Sequence, residues 1–462
     1  MFIVMKLLNH VVFFVGAALL CCGGSTLASS VTPGSGLLRH NAAPSSKMSD
    51  DPVPDEDWDY VTVREGAHMF WWLYGSQASG TGGRADNSPL ILWLQGGPGG
   101  SSTAFGNFKE IGPLDMNLKP RNTTWVQAAN VLFVDNPVGT GYSYVDDSSK
   151  YTTNNQQIAD DLVTLLNSFF DKYSVFVTSK TPFYVFSESY GGKMTTGLAN
   201  ALLRAMDQGT FKANFKGVSL GDSWIEGADY VKTWTPYIYA NSQIDANQAQ
   251  QLTQSANKCV QAVEDGDWNQ ATNLWGDVEE ELEMFTDSLS FYNILYHHED
   301  DGEATFMDQI TSTTLGKNAR KRMAKHLGTY HAQSLSQLMN GPIRKKLGII
   351  PENVQWGGQS SQVFSYLSTD FMKPVSTGNN SVDALLKDGR ITVTIYNGQL
   401  DLICDTLGTE QWMTKLTWDG MKQFKTASKS ALYAPGEGSN TAAFYKHYQN
   451  LEFYYIMRAG HM

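Results

Sequence analysis

The sequence is poor in cysteine, with four in 462 residues, and no histidine or cysteine spacing typical of a metal site is visible. Cys21 and Cys22 fall in an N-terminal segment that we predict to be removed. Cys259 and Cys404 then remain, which allows one disulfide at most, and free thiols fit the sequence at least as well. We therefore expect neither a metal nor a cofactor.

Basic residues are also scarce. The chain has 34 lysines and arginines against 46 aspartates and glutamates, and its formal net charge is −12. A negative surface repels phosphate backbones, which argues against a nucleic-acid partner. Hydrophobic residues make up 42% of the chain, enough to bury a sheet and too many for a disordered protein.

Long apolar runs are absent beyond the N-terminus. There, Lys6 precedes the apolar run Leu7–Leu20, which is too short to cross a bilayer, and Thr26-Leu27-Ala28 offers a cleavage site. These features predict a signal peptide at 1–28, followed by a loose Ser/Pro/Gly-rich lead-in at 29–54. We expect the mature protein to be soluble, secreted or lysosomal, and without a stable membrane anchor.

Two sequons fit that compartment. Asn122 is followed by Thr123-Thr124, and Asn379 by Asn380-Ser381, so both asparagines are candidate glycosylation sites.

Strand and helix patterns alternate along most of the chain. Trp58–Arg64 and Ala67–Leu73 predict a hairpin, and apolar spacing indicates a helix over Asn155–Tyr173. Continuous apolar runs predict buried strands at 89–94, 130–135, 182–186, 215–220, 390–396 and 451–457. The alternation predicts an α/β fold, with a central, mostly parallel sheet and helices on both faces.

Residues 224–351 interrupt this alternation with long polar helical stretches and few strand signals. We predict that they form a helical cap inserted at the carboxyl edge of the sheet. The core then consists of residues 55–223 and 352–462.

The strand at 182–186 leads into Ser187-Glu188-Ser189-Tyr190-Gly191-Gly192, and a helix-like segment follows. A strand, a tight turn with a central serine and a helix make the nucleophile elbow of α/β-hydrolase folds, which presents the serine hydroxyl above the sheet. Ser187 stands where the simple G-x-S-x-G pattern has glycine. The arrangement makes Ser189 a candidate nucleophile.

A serine nucleophile needs a base to take its proton and a carboxylate to orient that base. In α/β-hydrolase chains the order is serine, acid, histidine. Asp222 and Asp401 both follow predicted strands after Ser189. We favour Asp401 and keep Asp222 as the alternative.

Only two histidines, His447 and His461, follow Asp401. His447 lies in Thr441–Tyr448, which looks helical, and it fits an ordinary polar helix position. His461 lies in a glycine turn just beyond an apolar strand, from which an imidazole could reach the elbow. We therefore favour His461 as the base.

The tetrahedral intermediate also needs backbone N–H donors aimed at its oxygen. The glycine-rich turn Gln95–Gly100 follows the strand at 89–94 and exposes backbone amides without obstruction by Cβ atoms. We interpret this turn as part of an oxyanion hole, although a tight structural turn would look similar.

Five stretches resemble the signature motifs of the serine carboxypeptidase family, in the order of that family. At Gln95, Gly100 and Ser187 these stretches differ from the common sequence of the family, and these three residues are most similar to those of its retinoid-inducible branch. The five stretches are Trp93–Ser102, Asp135–Tyr144, Ser187–Gly192, Ile395–Asp401 and Ala459–Met462.

The resemblance implies an α/β-hydrolase fold and a catalytic triad. Ser189 matches the nucleophile, His461 the base and Asp401 its orienting partner. The N–H groups of Gly97 and Tyr190 match the oxyanion hole.

The resemblance also implies a site for the C-terminal carboxylate of a peptide or protein substrate. Gln95, which replaces the commoner asparagine, matches this site together with Gly96 and Glu188, and Glu110 matches the acid behind Glu188. Two carboxylates share a dry site only if one is protonated. We therefore expect a raised pKa at Glu188, which would make it a hydrogen-bond donor, and peptide hydrolysis that is strongest at acid pH.

Two alternatives stay open at this point. An esterase or acyltransferase could use the same triad, and an inactive binding homologue is the other reading. Members of the family continue past this histidine turn into a final helix, so we expect the sequence to be incomplete at Met462.

Overall fold

The computed structural model describes residues 53–78, 88–297, 332–434 and 439–462. The predicted signal peptide at 1–28 and nearly all of the lead-in at 29–54 lie outside the described residues. Among the described residues, no helix combines the length and the apolar character needed to cross a bilayer.

The described residues contain an eleven-stranded mixed sheet in the order β1-β2-β4-β3-β6-β7-β8-β11-β10-β9, with β5 paired to β2. The strands from β4 to β11 in this order are parallel, and the outer pairs are antiparallel. This confirms the predicted mostly parallel sheet. The strands are β1 (Glu56–Arg64), β2 (Ala67–Tyr74), β3 (Leu90–Leu94), β4 (Asn130–Val134), β5 (Tyr144–Val145), β6 (Pro182–Ser189), β7 (Asn214–Ser223), β8 (Thr392–Gly398), β9 (Ser430–Tyr433), β10 (Thr441–Tyr448) and β11 (Leu451–Ile456).

Helices follow or separate most of the strands. The α-helices are α1 (Asn155–Lys172), α2 (Val175–Thr178), α3 (Gly191–Asp207), α4 (Gly227–Ala240), α5 (Ala246–Glu264), α6 (Trp268–Thr286), α7 (Ala332–Leu338), α8 (Arg344–Leu347), α9 (Ser361–Phe371), α10 (Val382–Asp388), α11 (Thr406–Thr414) and α12 (Met421–Thr426). Two wider helical segments lie at Ser102–Ile111 and Met339–Ile343, and two short 3₁₀ turns at Trp125–Gln127 and Ser148–Lys150.

Both faces of the sheet are covered, which explains why its central strands are apolar at every position. Leu90, Leu92 and Leu94 of β3 pack in the core on the side of α1 and α3. Ile91 and Trp93, which point to the opposite face, pack in a second core with the segments after β3. A strand that is buried on both faces needs a continuous apolar run, as the sequence predicts.

The described parts of the long stretch between β7 and β8 contain the helices α4 to α10, joined by turns and coil, and no strand of the sheet. Trp275 of α6 and Phe371 of α9 pack with ring centroids 4.7 Å apart, and Trp224 stacks on Phe371 at 5.1 Å. Helices thus continue past residue 351 and pack with the earlier ones. The division into a cap at 224–351 and a two-part core stays a prediction.

One sequence-based prediction of secondary structure is wrong. Thr441–Tyr448 is not a helix but strand β10, which pairs with β11 and β9. Ala443, Tyr445 and His447 lie on one face of β10, where the first two are buried and His447 is exposed, so burial does not alternate regularly along this strand. Cys259 and Cys404 are both buried and both free thiols, so they do not form a disulfide.

Candidate active site

The predicted nucleophile lies at a sharp strand-to-helix turn. Ser189 ends β6 with φ 59°, and Tyr190 is the N-cap of α3. A left-handed conformation is uncommon for serine and marks a strained turn. A Cβ atom at Gly191 would lie 2.5 Å from the carbonyl oxygen of Leu94, so the helix can approach β3 only with glycine there.

The predicted acid and base lie on loops after two adjacent parallel strands, β8 and β11. The loops are joined by hydrogen bonds from Gln399 N–H to the Ile456 carbonyl (2.8 Å) and from Leu400 N–H to the Ala459 carbonyl (2.7 Å). Their pairing brings Asp401 Oδ2 within 2.9 Å of His461 Nδ1. Both side chains are buried, and the exposed fraction of His461 is 2%.

His461 is also held through its backbone by the segment after α6. Its N–H donates to the Tyr292 carbonyl at 2.8 Å, and the two rings lie 5.2 Å apart. The helical stretch between β7 and β8 therefore helps to position the imidazole. Sequence reasoning missed Tyr292, because nothing in its local sequence relates it to the histidine turn.

Ser189 and His461 line one cleft, together with Gly96 and Gly97. Its empty volume is about 710 Å³, including the part that opens to solvent. A Cβ atom built on Gly96 would lie 2.5 Å from Ser189 Cβ and 2.9 Å from the backbone nitrogen of Tyr190. The glycine-rich turn and the start of α3, which carry the two predicted oxyanion donors, thus lie beside the nucleophile.

Because Gly96 lies so close to the elbow, Gly96→Ala is expected to displace Ser189 or the Tyr190 N–H and to lower kcat/KM roughly 100-fold, the scale of losing one oxyanion donor. Gly357→Ala is the matched control, since a Cβ atom there meets nothing within 4 Å. Steady-state kinetics with one peptide substrate measures the difference. Equal activity of the two variants would contradict the close contact at Gly96.

The predicted carboxylate-binding residues also meet beside the nucleophile. Gln95, Gly96 and Glu188 line the cleft, and Gln95 Nε2 donates to Glu188 Oε1 at 3.1 Å. Glu110 lies behind Glu188, and their carboxyls are in hydrogen-bond contact. Burial raises the pKa of Glu188 well above its usual range, and the charge of Glu110 raises it further.

Gln95 has a fixed orientation. Its Oε1 accepts from the indole N–H of Trp93 at 2.9 Å, and its backbone N–H donates to Ser102 Oγ at 3.0 Å. With the amide oxygen occupied by Trp93, the amide nitrogen points towards Glu188. The Gln95 side chain, which is longer than the commoner asparagine, is thus held by a hydrogen bond from Trp93 that the sequence did not suggest.

Part of the wall of the cleft is aromatic. Phe364 and Phe371 pack 5.1 Å apart, centroid to centroid, and Trp275 contacts both rings. The aromatic residues that line the cleft are Phe105, Trp224, Trp275, Tyr292, Phe364 and Phe371. A cleft that combines a few polar groups with aromatic side chains is typical of a site that binds a partly apolar ligand.

The electrostatics of Asp401 involve residues that sequence reasoning did not connect with it. The pKa of Asp401 is raised to about 8 because the effect of burial outweighs the opposing effects of the Cys404 and Ile403 N–H donors and of a hydrogen bond with Asp222. A protonated His461 also favours the charged carboxylate at a distance of 2.9 Å. Asp222, the alternative acid, therefore lies beside Asp401 and is not the partner of His461 Nδ1.

The remaining predicted residues lie apart from the cleft. His447, the alternative base, is exposed on β10 and stacks on Tyr445. Asn122 and Asn379 are exposed, which leaves room for a glycan, and their glycosylation stays a prediction.

A serine at a nucleophile elbow and a buried histidine–aspartate pair at the carboxyl edge of a mostly parallel sheet define a serine hydrolase of the α/β-hydrolase class. The family model described as "Serine carboxypeptidase" matches residues 47–462. The chain therefore belongs to the serine carboxypeptidase family and is a serine-type carboxypeptidase, which confirms the resemblance of the five motifs.

Named relatives agree with this assignment. "Retinoid-inducible serine carboxypeptidase" of Mus musculus is 49% identical over 412 residues, which cover 89% of this chain and 88% of the relative. The protein of the same name from Homo sapiens is 49% identical over 407 residues, covering 88% and 87%. "Serine carboxypeptidase-like 51" of Arabidopsis thaliana is 41% identical over 424 residues and covers 88% of each chain.

Among solved structures, Kex1(delta)p, a prohormone-processing carboxypeptidase from Saccharomyces cerevisiae, superposes with a TM-score of 0.70. The alignment covers 88% of this chain and 87% of the other at 20% identity. At this identity the similarity supports the fold alone.

Proposed function

We propose that this enzyme releases C-terminal amino acids from peptides through an acyl-enzyme on Ser189, with its highest activity at acid pH. The observation that carries the proposal is the placement of Glu188, a buried carboxyl with a raised pKa, directly before Ser189 in the same cleft. A site that held only the triad would hydrolyse esters and amides without selecting a free C-terminus.

In the acylation step, His461 takes the proton of Ser189 Oγ as the oxygen attacks the scissile carbonyl carbon. The N–H groups of Gly97 and Tyr190 stabilise the resulting oxyanion, and Asp401 stabilises the imidazolium through the 2.9 Å contact with Nδ1. His461 then gives its proton to the leaving amino group, so the C-terminal amino acid departs. Water, activated in turn by His461, hydrolyses the ester and restores Ser189.

Recognition of the substrate carboxylate depends on the protonated form of Glu188. At acid pH the carboxyls of Glu188 and Glu110 are both protonated, since the pKa of Glu110 is raised by burial as well. Glu188 then accepts from Glu110, and its own hydroxyl donates to the substrate carboxylate, with Gln95 and the backbone at Gly96 beside it. As the pH rises through the raised pKa, Glu188 becomes an anion and repels the substrate. The aromatic wall supports a preference for peptides with a bulky apolar residue next to the scissile bond.

We also infer that the enzyme works in the secretory pathway, either secreted or in lysosomes, and carries glycans on Asn122 and Asn379. An acidic lysosomal or extracellular setting matches a protonated Glu188. The signal peptide predicted at 1–28 supports this location, and the exposure of both asparagines is compatible with glycosylation.

The pH dependence of two matched substrates tests the proposal. For an N-acylated dipeptide, KM is expected to rise with pH as Glu188 ionises, whereas KM for the same dipeptide as a C-terminal amide should change little. Glu188→Gln keeps a donor without a titratable proton, so it is expected to flatten the KM profile of the free acid.

If KM depends on pH in the same way for the free-acid dipeptide and for its C-terminal amide, Glu188 does not recognise the substrate carboxylate. Mass spectrometry of the products settles the reaction class. If esters are cleaved while no single amino acid is released from any peptide of a library, the chain acts as an esterase or acyltransferase instead.

A further inference from the structure

A second carboxyl lies beside Asp401. Asp222, at the end of β7, has an exposed fraction of 5%. Its carboxyl is in hydrogen-bond contact with that of Asp401. Its φ of 40° lies in the left-handed region, which is unfavourable for a residue other than glycine. The fold holds this strained backbone, and it places the Asp222 side chain against the catalytic acid.

The contacts of Asp222 assign different roles to its two oxygens. Oδ1 accepts from the Gly398 N–H at 2.6 Å and from Asn397 Nδ2 at 3.1 Å. Both donors belong to β8, the strand that leads to Asp401. Since Oδ1 already accepts two hydrogen bonds, Oδ2 is the oxygen available for Asp401. Two carboxyls form a hydrogen bond only if one of them carries a proton.

The surroundings decide which carboxyl carries that proton. Asp401 accepts from His461 Nδ1 at 2.9 Å and from the Cys404 N–H at 3.2 Å, and both donors favour its charged form. One imidazole can neutralise one carboxylate. Burial and the Asp401 charge raise the pKa of Asp222 well above its usual range. The titratable groups that interact electrostatically with Asp222 are Asp401, Cys404, Tyr396, Glu188 and His461.

We propose that Asp222 is a positioning residue: it stays protonated and donates a hydrogen bond to the Asp401 carboxylate, which fixes Asp401 in line with His461 Nδ1. The proposal rests on the Asp401–His461 pair of the proposed function and adds a third link behind it. Asp222 does not touch the substrate, so it acts on kcat through Asp401 and leaves KM largely unchanged.

The pH dependence follows from the direction of the pKa shift. Below the pKa of folded Asp222 the donor is present. As the pH rises through that pKa the hydrogen bond is lost, and a second negative charge appears beside Asp401. Activity should therefore decline on the alkaline side. For peptides, ionisation of Glu188 contributes a similar decline, so the test needs a substrate without a C-terminal carboxylate.

An N-acyl amino acid ethyl ester is such a substrate, and Asp222→Asn and Asp222→Leu are the informative variants. Asparagine reproduces all the contacts, because its oxygen accepts from Gly398 and Asn397 while its amide nitrogen donates to Asp401. We expect Asp222→Asn to keep most of the ester kcat at acid pH and to lose the alkaline decline. Asp222→Leu removes the donor and should lower kcat about 10- to 100-fold at unchanged KM, as expected for a hydrogen bond to a charged group.

The proposal is overturned if the wild type shows no alkaline decline with the ester, if Asp222→Asn declines as the wild type does, or if Asp222→Asn is as inactive as Asp222→Leu. The pH profile of ester kcat for Asp222→Asn tests the proposal even if Asp222→Leu fails to fold. Where Asp222→Leu folds, its loss of kcat should disappear in the Asp401→Asn background, because Asp222 acts through Asp401. Ester hydrolysis without release of amino acids from peptides would refute the proposed release of C-terminal amino acids. The role of Asp222 could still be tested, because its test uses the ester.

Discussion

Replacing Ser189 with alanine is expected to lower kcat for peptide hydrolysis by about 10,000-fold or more, because covalent catalysis needs this hydroxyl and the rest of the site retains only a residual rate. The variant should still bind peptides, since Glu188, Gln95 and the aromatic wall remain in place. A fluorophosphonate probe, which labels activated serines, should give an adduct on Ser189 in the wild type and none in the variant.

Ser187→Ala is the matched control within the same turn. Ser187 is buried on β6, and its Oγ has no hydrogen-bond partner among the described residues, so removal of this hydroxyl should cost little. We expect labelling and kcat within about threefold of the wild type, the scale of a substitution that leaves no polar group unpaired. Labelling that persists in Ser189→Ala would exclude Ser189 as the nucleophile, and loss of labelling in Ser187→Ala would attribute the loss in Ser189→Ala to disruption of the turn.

The sequence predicted the central sheet well, because its physical signals are local. A strand such as β3 is apolar at every position since both of its faces are buried, and its length of five residues favours a strand over a buried helix. The turn at Ser189 also has a local signal, because a strand, a central serine and two glycines follow one another directly, although its interpretation depended on the other motifs. Both signals lie within a few neighbouring residues.

Contacts between distant segments were not predictable in this way. The hydrogen bond from the His461 N–H to the Tyr292 carbonyl joins residues from separate parts of the chain, and so does the contact of Asp222 with Asp401. The segment of strand β10 was predicted as a helix because burial does not alternate regularly along it, and its aromatic residues also fit a helix pattern. The choice between Asp222 and Asp401 depended on strand pairing, since β8 and β11 are neighbours in the sheet.

Asp401→Asn is expected to lower kcat by about 10,000-fold with little change in KM, because an amide at this position no longer stabilises the imidazolium and favours the wrong tautomer of His461. Asp401 Oδ2 lies 2.9 Å from Nδ1, so an amide nitrogen there would oppose the ring N–H. Rapid-quench or steady-state kinetics on a good peptide substrate, with thermal unfolding as a folding check, measures the effect.

Asp405→Asn provides a close comparison, because Asp405 lies on the same loop and is fully buried, and burial raises its pKa to about 8, as it does for Asp401. Its carboxylate instead accepts from the Gly408 N–H at 2.7 Å as the N-cap of α11 and from Thr233 Oγ1 at 2.8 Å. Asparagine caps helices about as well as aspartate, so kcat should stay within about threefold of the wild type. Both variants replace a buried carboxyl on the same loop with an amide, and only the carboxyl of Asp401 contacts His461. A similar loss of activity in both would attribute the effect to loop stability and refute the orientation of His461 by Asp401.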